Sequence, residues 1–291
     1  MPVGINAQQP RPAAVAGRRI EVVELPGDPA RRPLVLLHEG LGSVALWRDF
    51  PGRLQAATGR RVLAFSRWGH GRSEPPPAPR TPAFFHEEAL EVLPELLSQL
   101  DAPEPILVGH SDGASIALIH AGRHRVTGLA LLAPHVVVED ITVAAIRETR
   151  VAYLEDGLRE RMARHHDDPD AAFWGWCDVW LDPDFRAWSL EPDAARVTAP
   201  ALLIQGADDP YGTLDQIDRV ETCVRGPVER LVMPGGHSPH LEEPDAVTWE
   251  GWQSIDALER AAGEPHGRPR VKLMRLDELV EASRSGSAVG R

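Results

Sequence analysis

Short apolar runs punctuate the chain at residues 34–37, 62–65, 105–108, 129–132, 201–204 and 228–233, and all but the fourth are closed by a cluster rich in Gly, His, Ser or Asp. They are four to six residues long and lack polar alternation. Such runs suit strands covered on both faces, the condition of a parallel sheet between helix layers. Residues 18–25 alternate and predict an edge strand. Helical periodicity fills the intervals at 82–100, 114–123, 214–224 and 246–262. Strand and helix therefore alternate, which predicts an α/β fold: a doubly wound, mostly parallel sheet flanked by helices.

The rhythm stops between residues 134 and 195. No strand-like run flanked by Gly occurs there, and the pattern predicts helices near 139–153, 158–165 and 170–181. Trp174, Trp176, Trp180 and Trp188 fall in this stretch with Tyr153, Phe173 and Phe185. An insertion of this size between two strands behaves as a helical cap. The expected organisation is a loose arm over 1–17, a core over 18–133 and 196–262, a cap over 134–195 and a polar tail over 263–291. Leu273, Leu276, Leu279 and Val280 predict one amphipathic helix in the tail.

Composition narrows the chemistry. The chain has 291 residues, 43% hydrophobic and 25% charged, with a net charge of −12. That is enough apolar material for a core, and the acidic balance argues against nucleic acid or an anionic membrane as partner. Of the 31 Lys and Arg residues only Lys272 is a lysine, and it lies in the polar tail, so a phosphate-binding Lys loop and a Schiff-base lysine are both excluded. Cys177 and Cys223 form no CxxC pair, and no apolar run approaches the roughly 18 residues of a membrane span. The first residues lack an apolar signal region, so a cytoplasmic location is expected. A small-molecule substrate and a monomer or homodimer are expected, with no cofactor. His237 and His240 sit in a Gly/Pro loop rather than an HExxH helix, so no metal is expected.

The unusual residues stand at the carboxyl ends of the runs, where ligands bind in open α/β sheets. After the third run comes Gly109-His110-Ser111-Asp112-Gly113. Gly-x-Ser-x-Gly is a sharp strand-to-helix turn that projects a strained nucleophile, with small flanking residues so that strand and helix can approach. A serine hydroxyl needs a base within hydrogen-bond reach. His237, after the last run, is the candidate. His70, His165 and His166 read as loop or solvated residues, and His110 packs beneath the turn. The imidazole needs an acid to set its tautomer, and Asp208 and Asp209 follow the fifth run at the right place.

On these residues the chain resembles the α/β-hydrolase superfamily over about residues 18–262. The resemblance rests on the turn His38 to Ser43, Arg67-x-Gly-x-Gly-x-Ser73, the Ser111 turn, Gly206-x-x-Asp209-Pro210, and Gly236-His237-x-x-His240-Leu241-Glu242-x-Pro244. It implies Asp209 as the acid, ahead of Asp208 and Asp140. It also implies an oxyanion hole from the backbone N–H groups of Asp112 and Gly40, with Leu41 as the alternative to Gly40. Two positions depart from the pattern: Glu39 stands where Gly is usual and Ser66 where Asp is frequent. Ser111, in place of Asp, argues against epoxide or carbon–halogen chemistry.

The resemblance and the motifs together imply a serine hydrolase of a small carboxylic ester, thioester or lactone, working through an acyl-enzyme. Glu39, Leu41, Trp176 and Trp180 are the candidate substrate-binding residues. The competing expectations are a carbon–carbon bond hydrolase or lyase with the same three residues, and a binding protein that keeps the fold without turnover.

Overall fold

A computed structural model of the chain describes residues 9–10 and 13–248. The strands are β1 (Gln9–Pro10), β2 (Ala13–Val15), β3 (Arg18–Leu25), β4 (Leu34–Leu37), β5 (Val62–Ser66), β6 (Ile106–His110), β7 (Gly128–Leu132), β8 (Ala201–Gly206) and β9 (Val228–Met233). They form one sheet in the order β1-β3-β5-β4-β6-β7-β8-β9, with β2 pairing β3 off this path. Pairing is parallel from β5 to β9 and antiparallel at β3, which is the expected doubly wound α/β sheet.

Alternate residues of each central strand serve two cores. Leu37, Phe65, Leu107, Leu131 and Leu203 lie in one. Leu36, Ala64, Val108, Leu132 and Ile204 lie in the other. Both faces are therefore dry, and every position of β4 to β8 is buried. β9 departs from the expected unbroken run. As the edge strand it buries only every second residue, because it has one protected face.

Helix α1 (Phe50–Thr58) places Phe50 and Leu54 in the second core. On the first core lie α2 (Phe84–Glu87), a π-helical turn (Glu88–Val92) and α3 (Leu93–Gln99), which together occupy the predicted 82–100 helix. α4 (Asp112–Ala121) is buried almost all round, and its polar residues Asp112, Ser115 and His120 are buried with the rest. Between β7 and β8 come α5 (Asp140–Glu155), α6 (Leu158–Met162), α7 (Pro169–Leu181), a 3₁₀ turn (Pro183–Ala187) and α8 (Glu191–Ala194). α9 (Asp215–Cys223) and α10 (Pro239–Glu242) follow β8 and β9.

The expected loose arm over 1–17 does not extend to residues 13–15. Ala13, Ala14 and Val15 pair with β3 across a turn at Ala16-Gly17, both with positive φ, and Val15 is fully buried. Two apolar side chains and a glycine turn suffice for a short hairpin. The predicted helix 246–262 lies mostly outside the described residues, and the tail 263–291 wholly outside. No helix among the described residues is long and apolar enough to cross a membrane.

Candidate active site

Strand β6 delivers Ser111 into the turn before α4. Its backbone sits at φ 52°, ψ −118°, a region that L-residues populate at a cost of about 1–3 kcal/mol. The surroundings impose it. The Ser111 N–H donates to Leu132 O at 2.8 Å, and Ser111 O accepts from Ala114 N at 2.9 Å. The flanking glycines are required sterically. A Cβ on Gly113 would lie 2.0 Å from Leu37 O, and one on Gly109 would lie 2.5 Å from Gly113 O.

Ser111 Oγ lies 2.9 Å from His237 Nε2, and His237 Nδ1 lies 2.8 and 3.0 Å from the two oxygens of Asp209. Asp209 also accepts from Tyr211 N and Gln205 Nε2, both at 2.8 Å. Burial alone would raise its pKa, but the hydrogen bond and charge of His237 outweigh it and hold the carboxyl below its usual range. An ionised carboxylate only accepts, so Nδ1 carries the imidazole proton and Nε2 presents its lone pair to the Ser111 hydroxyl. Burial lowers the His237 pKa, against the opposing pull of Asp209. Asp208 is exposed. Asp140 is exposed and ion-paired with Arg186. The His237 ring hydrogen-bonds Asp209 and Ser111, and neither Asp208 nor Asp140.

The turn after β4 supplies the facing wall. Glu39 O accepts from Gly42 N at 3.0 Å, Arg67 Nη2 at 2.8 Å and His38 Nδ1 at 2.7 Å. In a planar trans peptide the following N–H points the opposite way, so this anchorage orients the Gly40 N–H. The N–H groups of Gly40, Leu41 and Asp112 donate to nothing among the described residues. A Cβ on Gly40 would lie 2.1 Å from Trp176 Nε1, so the indole of α7 is seated directly on this glycine. Trp180 Nε1 donates to Asp112 Oδ1 at 3.2 Å, tying α7 to the Ser111 turn.

A cavity of about 240 Å³ opens over Ser111. Glu39, Leu41, Trp176 and Trp180 all line it. So do residues that sequence reasoning missed: His135, Thr142, Ile146, Tyr211 and Ser238. Thr142 and Ile146 are four apart on α5 and so share one helix face, a signal present in the sequence. His135 directly follows β7, and Tyr211 follows the Asp209-Pro210 pair. The Glu39 carboxyl is driven well below its normal pKa. Burial opposes its charge, and the His110 imidazole, 3.4 Å away, overrides that. Asp112 behaves oppositely: burial pushes its carboxyl up to about 6, with Arg67 at 3.9 Å countering only in part.

Arg67 is itself buried behind the site and does not line the cavity. His110 lies beneath the turn and contacts His237 O at 2.6 Å. His70 and His166 lie in loops, one of the two settings the sequence suggested, but they are buried rather than solvated. His70 Nε2 bonds Gly40 O at 2.8 Å. His166 Nδ1 accepts from Gly71 N and its Nε2 donates to Leu41 O, both at 3.0 Å. These imidazoles bond loop peptides that have no sheet partner. Ser66 accepts from Val44 N at 2.9 Å and donates to Glu21 at 2.6 Å, a purely structural pairing. Among the described residues no group of three or more His, Cys, Asp or Glu is placed to hold a metal ion.

The sequence profile of the Alpha/beta hydrolase family matches residues 34–248. The NADPH-ferredoxin reductase FprA of Mycobacterium leprae is 43% identical over 72 residues, covering 23% of this chain and 16% of that protein. The serine hydrolase BPHL of Homo sapiens is 26% identical over 201 residues, covering 63% of this chain and 65% of that protein. The chain thus spans less than two thirds of either relative. Among solved structures, the enol-lactonase from Burkholderia xenovorans LB400 superposes with a TM-score of 0.66 at 21% identity, over 84% of this chain and 100% of that one. At that identity the likeness establishes the fold alone.

Proposed function

The chain belongs to the alpha/beta hydrolase family, and from that premise we propose that it is a serine hydrolase of small carboxylic esters, thioesters or lactones. The observation that carries this reading is the hydrogen-bonded series Ser111–His237–Asp209 at the floor of a small cavity. His237 Nε2 takes the Ser111 proton as Oγ attacks the acyl carbonyl. Asp209 keeps the imidazole in the right tautomer and stabilises its charged form. The Asp112 and Gly40 N–H groups hold the developing oxyanion. His237 then protonates the leaving group, and water activated by the same imidazole releases the acid.

The relative named a serine hydrolase supports the nucleophile class. The cavity, with room for about eight waters, supports a small substrate. The protein acts on that substrate as a monomer or homodimer, without nucleic acid or membrane.

The test is intact-mass spectrometry after exposure to a fluorophosphonate, wild type beside Ser111→Ala. One adduct on the wild type and none on the variant is expected, with kcat on any turned-over ester reduced about 10⁴- to 10⁶-fold in Ser111→Ala. A folded wild type that takes no adduct would overturn the reading.

A further inference from the structure

His135 is placed with more care than a wall residue needs. Ser115, one helical turn beyond Ser111, donates through Oγ to His135 O at 2.6 Å and accepts from His135 N at 3.3 Å. The ring stands edge-on to Trp180, with centroids 5.1 Å apart, and 5.7 Å from the His237 ring. Gly212 leaves room for it: a Cβ there would lie 3.3 Å from His135 Cε1. The residue is 3% exposed and lines the cavity.

Yet neither ring nitrogen makes a hydrogen bond among the described residues, and Nδ1 is wholly sealed from solvent. Buried polar groups in folded proteins are nearly always paired, so an unpaired one beside a reaction centre asks for a partner that arrives with the ligand. Burial also drives the ring pKa down to about 3, so the imidazole is neutral at working pH. A bare lone pair is tolerated in a sealed pocket better than an orphaned N–H. The proton therefore sits on Nε2, the nitrogen that is not sealed.

The neighbouring polar groups are already engaged. Thr142 Oγ1 donates to Tyr211 O at 2.5 Å, Tyr211 OH pairs with Thr149 at 2.7 Å, and Trp180 Nε1 is held by Asp112. Beside these three committed groups, His135 keeps a ring donor with no partner among the described residues.

We propose that His135 is a specificity residue whose Nε2–H binds a second, neutral oxygen of the substrate, selecting oxygenated esters over plain alkyl esters. The inference rests on the acyl-transfer reading above. The oxygen is neutral, a carbonyl, ether or hydroxyl, because the Glu39 carboxylate in the same cavity repels an anionic one.

The test is the rate of Ser111 labelling by two fluorophosphonates of equal shape, one with a butoxy arm and one with a 2-methoxyethoxy arm. Wild type should react about three- to tenfold faster with the methoxyethoxy reagent, the range of one net hydrogen bond. His135→Phe should lose that preference, its two labelling rates becoming equal whatever their common level, with a wild-type-like Tm reporting that the variant is folded. His135→Gln, which retains an N–H donor, should keep part of the preference and reads out the same bond should the Phe variant not fold. Equal rates in wild type, or a preference that survives in His135→Phe, would overturn the inference alone. Failure of both reagents on wild type would overturn the hydrolase reading and this inference with it.

Discussion

At the scale of single residues the site is a set of protonation states fixed by burial and by fixed partners. Asp209 is ionised because His237, Gln205 and Tyr211 all donate to it. His237 is neutral because burial lowers its pKa more than Asp209 raises it. The sign follows directly: a base whose pKa is lowered stays unprotonated to more acidic pH. The acid limb of kcat/KM should therefore fall below the unperturbed histidine value of ~6.5. Asp112, held near 6 by burial, titrates close by. A profile between about pH 5 and pH 8, repeated in Asp112→Asn, separates them, because the limb that persists in the variant belongs to His237. A limb at or above the unperturbed value would remove His237 from the role of buried base. The departure at Glu39 is also explained at this scale. Its backbone carbonyl takes three donors, and its side chain lies over Gly42, where a Cβ would come within 2.4 Å of Glu39 Oε2.

At the scale of elements, the strand β6, the Ser111 turn and α4 form one rigid unit, and glycine contacts hold it together. Gly113 lets α4 rest against the end of β4, with Leu37 O at 2.0 Å from the position of an added Cβ. A backbone oxygen cannot yield as a side chain can. Gly113→Ala should then destabilise the fold by about 1–3 kcal/mol, the usual cost of overpacking, and lower the labelling rate of Ser111 as the turn shifts. Urea denaturation against wild type measures the first effect; an unchanged midpoint would show that the helix can move away freely. The unit is tied upward to the helices between β7 and β8 by Trp180 on Asp112, and the turn after β4 is tied to them by Trp176 on Gly40. Trp180 also packs on Phe85, Phe185 and Trp188. The two tryptophans thus pack as core residues and line the cavity at once.

At the scale of the whole molecule, the two faces of one sheet set the stability and the buried histidines set its pH dependence. Seven of them, His38, His70, His120, His135, His166, His237 and His240, have pKa values lowered chiefly by burial. For such groups the unfolded chain binds protons first, so stability is full above ~6.5 and is lost as pH falls below it. Asp112, raised by burial to about 6, and Glu88, also raised by burial, pull the other way, but two carboxyls oppose seven imidazoles. Tm measured at constant ionic strength should therefore drop between about pH 7 and pH 5. A Tm that is level or rises over that interval would contradict the buried, neutral state of these rings.

How much of this was legible in the sequence depends on how local each feature is. Dry strands advertise themselves as unbroken apolar runs, and the Ser111 turn needs its glycines within five residues, so the parallel sheet and the candidate nucleophile could be read along the chain. The choice of Asp209 over Asp208 came from the resemblance to the α/β-hydrolase superfamily, and the hydrogen bonds to His237 now make the same choice independently. The short hairpin strand Ala13–Val15 was missed because its three residues are too few to make a pattern. The buried roles of His70 and His166 were missed because an imidazole that bonds a distant loop peptide looks, in sequence, like one in solvent.

The cavity wall was the least legible part. His135, Ile146, Trp180 and Tyr211 come from four separate segments and share no motif. The sequence by itself determined the central strands, the strained turn at Ser111 and the end of the sheet at which the candidate site lies. Only the tertiary structure decided which side chains surround the reacting atoms, and with what protonation states. Burial and donor geometry are properties of neighbours distant in the chain, and no local pattern encodes them.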